Sequence, residues 1–324
     1  MSKAIRFHAT GGPEVLRWEE LEVGAPGPGE ARVRHTAIGV NFIDTYHRTG
    51  LYPLALPSGL GVEGAGVVED VGREVRNLRP GDRVAYAGGA PGSYSEARLY
   101  PADRLVKVPE GIDDRTAAAA MLKGLTVWAL VQRCHPVKRG ETVLWHAAAG
   151  GVGLIAVQWL KAIGATVIGT AGSDEKAALA RRHGCDHVIV YTRERFPERV
   201  KEITAGAKLP VVYDSVGKST FEGSLDCLAP LGLMVTFGNA SGPVPPLDLL
   251  ELNRRGSLFI TRPTVMHYTA RREDLEAGAA ELFGMIRSGK VKVEVGGTWP
   301  LAQAAEAHRA LQARKTTGSL LLLP

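Results

Sequence analysis

Cysteine is scarce and late in this chain: Cys134, Cys185 and Cys227 are the three among 324 residues, and none precedes Cys134. They make no C-x-x-C pair and no closely spaced set. That excludes a disulfide-stapled fold and a cysteine-based structural zinc site. No apolar run reaches the roughly eighteen residues of a membrane-spanning helix. The opening Met1-Ser2-Lys3-Ala4-Ile5-Arg6 lacks the apolar stretch of a secretory signal, so the expected location is the cytoplasm. Asparagine and glutamine together number 8, and only 12 of 39 basic residues are lysine. That balance fits a heat-tolerant source, and arginine excess also follows GC-rich coding. Concentrated charge is missing too. The net charge is +5 and the isoelectric point near 9.1. Yet the basic residues stand as isolated pairs, Arg181-Arg182, Arg254-Arg255 and Arg271-Arg272, without interleaved aromatics. Such pairs read as solvated helix faces and argue against a nucleic-acid partner. No His/Cys/Asp cluster points to a metal, and no Ser/His/Asp grouping points to hydrolysis.

A hydrophobic share of 45% and a charged share of 23% are those of an ordinary globular protein, and the length suits two domains. The first 120 residues are β-rich, with short strand candidates at 31–38, 64–71 and 82–86. Turn chemistry at Pro26-Gly27-Pro28-Gly29 and Arg79-Pro80-Gly81-Asp82 separates them. This pattern predicts a small barrel-like domain. From Ala117 helical periodicity appears, at 117–121 and again at 126–134. Strands at 142–147, 165–171, 187–190, 210–214 and 233–237 then alternate with helices at 152–163, 174–183, 195–205 and 218–228. That alternation predicts an α/β, doubly wound parallel sheet. Ser257-Leu258-Phe259-Ile260-Thr261 is a candidate sixth strand. Helices are expected at 273–288 and 301–313. The apolar tail Gly318-Ser319-Leu320-Leu321-Leu322-Leu323 is expected to return to the first domain.

The most specific local feature is Thr142-Val143-Leu144-Trp145-His146-Ala147-Ala148-Ala149-Gly150-Gly151-Val152-Gly153. It is an apolar strand that runs into small residues and then a helix. Aligned on G-x-G-x-x-G it reads Ala148-x-Gly150-x-x-Gly153. Ala148 is small enough for a tight turn, Gly150 lets the backbone approach a pyrophosphate, and Gly153 lets the helix pack on the strand. The helix N-terminus offers free N–H groups to phosphate. The next strand ends Gly169-Thr170-Ala171-Gly172-Ser173, without the carboxylate that holds the ribose 2′-hydroxyl of NAD. Ser173 and the nearby Lys176 suit a 2′-phosphate, which favours NADPH over NADH, although Lys176 also reads as an ordinary solvated helix lysine.

The order of β-rich domain, dinucleotide domain and returning tail resembles the medium-chain dehydrogenase/reductase superfamily. Gly140-Glu141-x-x-Leu144-x-x-x-Ala148-x-Gly150-Gly151-x-Gly153 resembles the signature of its quinone oxidoreductase/zeta-crystallin group. So do Gly39-Val40-Asn41-Phe42-Ile43-Asp44-x-Tyr46 and Gly61-Val62-Glu63-Gly64-Ala65-Gly66-Val67-Val68. The resemblance implies a GroES-like catalytic domain over 1–120, a Rossmann domain over 121–262 and a return segment over 263–324. It also shows what is missing. Zinc enzymes of the superfamily carry a cysteine where Asn41 stands and a histidine where Val62 stands, and neither replacement can ligate zinc. Without that Lewis acid, hydride transfer requires an acceptor that needs little polarisation, a quinone or an activated double bond.

By the resemblance, Asn41 projects into the substrate cleft and Tyr46 hydrogen-bonds or stacks on the acceptor. Both are the candidate catalytic residues. Asp44 is expected to order its loop through Asx-type bonds, and Glu63 to be structural. For the cofactor, the expected residues are Ala148, Gly150, Gly151, Val152 and Gly153 at the phosphates, and Ser173, Lys176 and Tyr191 at the 2′-phosphate. Thr126, Ser215, Phe237, Gly238 and Asn239 are expected near the nicotinamide, and Arg314 in a basic segment that reaches back to phosphate. The leading reading is a metal-free NADPH-dependent quinone reductase, expected as a homodimer with a small-molecule quinone or activated-alkene substrate and no membrane partner. An enal or enoyl double-bond reductase is the enzymatic alternative, and an RNA-binding or crystallin-like structural protein the non-enzymatic one.

Overall fold

A computed structural model describes residues 2–324. The chain forms two compact units, one of Met1–Leu125, Thr269–Ser288 and Val293–Pro324, the other of Thr126–Tyr268 and Gly289–Lys292. In chain order the first contains β1 (Ser2–Phe7), β2 (Arg17–Leu21), β3 (Glu30–Val40), α1 (Phe42–Thr49), β4 (Ser58–Gly59), β5 (Glu63–Val71), β6 (Arg83–Ala87), β7 (Ala97–Pro101) and β8 (Val106–Lys107). Helix α2 (Asp114–Trp128) follows, and the chain enters the second unit within it.

β3 shows how the first unit is built. Ala31, Val33, His35 and Ala37 are buried while the residues between them face outward, the period-2 signature of a half-covered strand. From Ile38 to Val40 every residue is buried, because the tail β16 (Ser319–Leu323) pairs there, Leu320 opposite Val40 and Leu322 opposite Ile38. The returning tail is thus a central strand, in a seven-stranded sheet ordered β15-β16-β3-β5-β6-β8, with β7 also on β3 and β15 at Val295–Pro300. A smaller sheet, β2-β1-β4, completes the unit. Two expectations need correction. Helix α2 is continuous and extends through a π-helical turn over Ala129–Cys134, where two shorter helices were expected. Asp44, expected to order a loop, lies in helix α1.

The second unit alternates β9 (Thr142–Trp145), α3 (Gly151–Ile163), β10 (Thr166–Ala171), α4 (Asp174–Arg182), β11 (His187–Val190), α5 (Phe196–Ile203), β12 (Leu209–Asp214), α6 (Phe221–Asp226), β13 (Leu228–Thr236), α7 (Leu250–Arg254) and β14 (Phe259–Thr261). All strand pairs are parallel, in the order β11-β10-β9-β12-β13-β14. This is the Rossmann order. The strand sequence reverses between β9 and β12, and dinucleotides bind beyond the carboxyl ends of the strands at that switch point. No helix among the described residues is long and apolar enough to cross a membrane.

Candidate functional site

At the end of β9 the chain turns through Ala147, which has a left-handed φ of 54°, and reaches Gly150, the N-cap of α3. Ala148 is fully buried and its N–H donates to the Thr170 carbonyl at 3.0 Å. No side chain caps α3 and its first turn carries no acid. The amides of Gly151, Val152 and Gly153 at this end have no intrahelical acceptor, so the helix presents free donors and a positive dipole end. An anion such as a pyrophosphate fits this end of the helix.

The end of β10 gathers the second group. Tyr191 is 46% exposed, and its hydroxyl lies over Gly172, where a Cβ would come within 2.7 Å of it. Ser173 caps α4 by accepting the Lys176 N–H at 3.3 Å. Ser173, the Lys176 backbone and Tyr191 therefore lie close together. The structure adds Arg193, whose guanidinium forms a two-pronged pair with Asp174 at 2.7 and 2.6 Å. No local motif marked Arg193, because its place follows from β11 lying beside β10.

Beyond β12 and β13, Asp214 organises the turn that holds Ser215. Its carboxylate accepts from the N–H groups of Val216 at 2.7 Å and Gly217 at 3.0 Å and from the hydroxyls of Thr220 and Ser224. Phe237 donates its N–H to the Asp214 carbonyl, and its ring packs on Trp145. Arg262 holds Gly238 by its carbonyl at 3.0 Å, and Ala240, after Asn239, donates to the Ser215 carbonyl. The expected residues 215 and 237–239 thus form one ledge. Thr126 lies near the end of α2. Arg314 belongs to the first unit, exposed on the turn before β16 with φ 55°.

The structure brings a His, a Ser and an Asp together that the sequence does not place side by side. His146 Nε2 meets Ser224 Oγ at 2.9 Å, and Ser224 donates to Asp214. All three are fully buried, so the grouping is structural. Burial lowers the His146 pKa, and a neutral ring fixes the tautomer: Thr170 donates to Nδ1, and Nε2–H donates to Ser224. The chain of bonds joins the ends of β9, β10 and β12.

In the first unit Asn41 is the N-cap of α1. Asp44 Oδ2 accepts the Asn41 N–H at 2.8 Å, so the expected ordering role of Asp44 is realised as a helix cap. The Asn41 side chain donates from Nδ2 to Glu63 Oε2 at 2.9 Å. Glu63 is also paired with Lys123. Asp44 is fully buried, which pushes its pKa up to about 7 against the lowering hydrogen bonds from Asn41 and Tyr94. Behind it runs a second directional chain. Arg48 donates to His308 Nδ1 at 3.0 Å, His308 Nε2 meets Tyr94 at 3.0 Å, and Tyr94 donates to Asp44 at 2.9 Å. Tyr46 is more enclosed than a stacking platform would be. It is 8% exposed, with Phe42 and Tyr52 against its ring. Among the described residues no group of three or more His, Cys, Asp or Glu could hold a metal.

Residues 27–110 match the alcohol dehydrogenase GroES-like domain, and residues 151–283 match the zinc-binding dehydrogenase domain. Over its whole length the chain is 56% identical to a quinone oxidoreductase of Pseudomonas aeruginosa, which is also covered completely. It is 48% identical to a 2-haloacrylate reductase of Burkholderia, covering 100% of this chain and 99% of that one. The crystal structure of Escherichia coli quinone oxidoreductase complexed with NADPH superimposes with a TM-score of 0.98, at 50% identity over 99% of this chain and 100% of that one.

Proposed function

The chain belongs to the quinone oxidoreductases, a zinc-free group of the medium-chain dehydrogenase/reductase superfamily, and from that membership we propose which residues carry its reaction. The reaction is the reduction of a quinone by NADPH. When bound, NADPH supplies the hydride. The amides of Gly151, Val152 and Gly153 hold its pyrophosphate, with Gly150 and Ala148 shaping the approach. Ser173, Lys176, Tyr191 and Arg193 hold the 2′-phosphate. The ledge of Ser215, Phe237, Gly238 and Asn239, with Thr126, orients the nicotinamide end. Asn41 orients the acceptor, and Tyr46 supports it from the side.

One observation carries the acceptor assignment. Asn41 is half-buried, one of its amide hydrogens is committed to Glu63, and the other remains as a donor. A donor suits the oxygen of a quinone, which gains negative charge as hydride arrives. It suits a carboxylated alkene as well, and the resemblance to a 2-haloacrylate reductase favours that as a second substrate class. Both use placement of the acceptor rather than covalent chemistry. Steady-state oxidation of NADPH against a panel of quinones and 2-halo- or enal-type alkenes tests this. Quinone turnover is expected, with kcat/KM reduced roughly tenfold to a hundredfold in Asn41→Ala. Wild-type kcat/KM in that variant would remove Asn41 from the site.

The 2′-phosphate group gives a second prediction. Titration should show NADPH bound at least about tenfold more tightly than NADH, roughly 1.4 kcal/mol. Arg193→Ala should narrow that ratio, because a guanidinium can meet phosphate bidentately. Equal dissociation constants for the two cofactors would sink the assignment.

The location we propose is the cytoplasm, and the assembly a homodimer through β14. Phe259 is 59% exposed and Ile260 36%, on a short strand at the sheet edge. An exposed apolar edge invites pairing with a second copy. Light scattering should report twice the 34.5 kDa chain mass, and Ile260→Lys should shift it toward the monomer. A monomeric wild type at micromolar concentration contradicts this.

A further inference from the structure

Inside the first unit lies an ion pair that placement of the acceptor does not by itself require. Lys123 Nζ stands 2.8 Å from Glu63 Oε2, with the side chains 6% and 0% exposed. A buried pair of this kind adds little net stability, because desolvation of both charges offsets their attraction. Its remaining bonds are more informative. Glu63 Oε1 accepts the Leu122 N–H at 2.6 Å, and Oε2 accepts Asn41 Nδ2–H. The backbone makes room for this carboxylate. A Cβ at Gly39 would fall on Glu63 Oε2 and lie 2.6 Å from the Ala118 carbonyl oxygen. The Gly39-Val40-Asn41 and Gly61-Val62-Glu63 segments are therefore one assembly, brought together by the β3–β5 pairing with Ile38 opposite Gly64.

An ionised carboxylate only accepts hydrogen bonds. It can face the Nδ2 end of the Asn41 amide and not the Oδ1 end. A neutral group of the same shape could face either end, and a flipped amide would offer an oxygen where the acceptor needs a donor. We propose that the Lys123–Glu63 pair is a positioning device for Asn41. It fixes the amide with its second N–H as the outward donor, and so selects acceptors whose reacting end carries an oxygen that gains negative charge. Glu63 and Lys123 act through Asn41 and do not touch the acceptor. This inference rests on the reading of Asn41 as the acceptor's partner.

A double-mutant cycle tests it, with NADPH and 1,4-benzoquinone as reactants. Glu63→Gln should lower kcat/KM about tenfold, and Asn41→Ala by about tenfold or more. The double variant should be no worse than Asn41→Ala within about twofold, since a residue acting only through Asn41 has nothing left to position. NADPH dissociation constants should stay within about twofold throughout, a result that general damage to the fold would not give. Multiplying losses in the double variant overturn the inference. So does wild-type kcat/KM in Glu63→Gln beside an impaired Asn41→Ala, and then the assignment of Asn41 stands. Wild-type kcat/KM in Asn41→Ala overturns both. If Glu63→Gln does not fold, the same cycle is run with Lys123→Gln, which removes the cation that holds the Glu63 carboxylate against Asn41. The same coupling with Asn41→Ala is then expected, and additivity overturns the inference.

Discussion

Acidification from neutral pH is expected to destabilise both units well before carboxylates as a class are protonated. Burial drops His35 from 6.5 to about 4 and His308 to about 3, and lowers His146 as well. Each is neutral in the folded chain and charged in the unfolded chain below its ordinary value of 6.5. Their contribution to stability is complete above 6.5 and is lost as the pH falls toward the folded value. Asp44 works in the opposite sense. Its folded pKa is raised from 3.8 to about 7, so its stabilising share is full below 3.8 and is lost as the pH rises through 7. In the first unit burial lowers His47 as well, so three imidazoles stand against Asp44. In the second, His146 works in the same direction. From His35 and His308 against Asp44, the first unit should lose at least about 1.4 kcal/mol per pH unit below about pH 6.5. That is a large fraction of a usual stability of about 5–15 kcal/mol. Urea unfolding followed by tryptophan fluorescence between about pH 7 and pH 5 should show falling midpoints. His35 and His308 should show no NMR titration centred in that range. Unchanged midpoints, or imidazole shifts that titrate near the free value, would contradict the buried neutral assignment.

What was legible in the sequence was local. The parallel unit follows from apolar runs alternating with helical spacing, and the turn after β9 follows from small residues at fixed offsets. The tail Ser319–Leu323 was legible because a four-leucine run at a terminus needs a sheet to bury it. The misread stretch around Gly124 shows the limit. A glycine between two helical segments suggests a break, yet here it lies inside α2 because Leu282 packs where its side chain would be, with Leu282 Cδ2 2.6 Å from an added Cβ. That contact spans more than a hundred and fifty residues, and nothing near Gly124 announces it.

The polar interior was the least legible part. His146 reads as the last residue of an apolar strand, and its partners Thr170 and Ser224 lie 24 and 78 residues away. Tyr94, which donates to Asp44, lies 50 residues away, and His308 lies 260 residues from Arg48. Periodicity marks which face is buried but not which buried polar groups meet. Glu63 seemed merely structural for the same reason. Its bond to Asn41 depends on the register of β3 against β5, which two separate motifs do not reveal until the strands are paired.

The glycines at the head of α3 should separate binding from packing. A Cβ at Gly153 would fall on the Ala147 carbonyl oxygen and lie 2.8 Å from the Ala148 Cα, all of it backbone. Ala147 already holds a left-handed φ, so the turn has little room to yield. Gly153→Ala should push α3 away from the end of β9 and cost about 1–3 kcal/mol of stability, as overpacking does. It should weaken NADPH binding too, because the donors at the helix start move with the helix. Gly150 differs. Its φ of −78° suits any residue, and an added Cβ meets only the Ala147 carbonyl oxygen, at 3.2 Å. Gly150→Ala should keep near-wild-type stability, yet its methyl group would stand on the open side of the turn that a pyrophosphate must approach. Its NADPH dissociation constant should rise about a hundredfold or more, as loss of two or more charge-assisted hydrogen bonds implies. Thermal unfolding without cofactor and NADPH titration of both variants give the contrast. If Gly150→Ala binds NADPH as the wild type does, the pyrophosphate does not lie against this turn. If Gly153→Ala unfolds at the wild-type temperature, the close packing of α3 on β9 is not what demands glycine there.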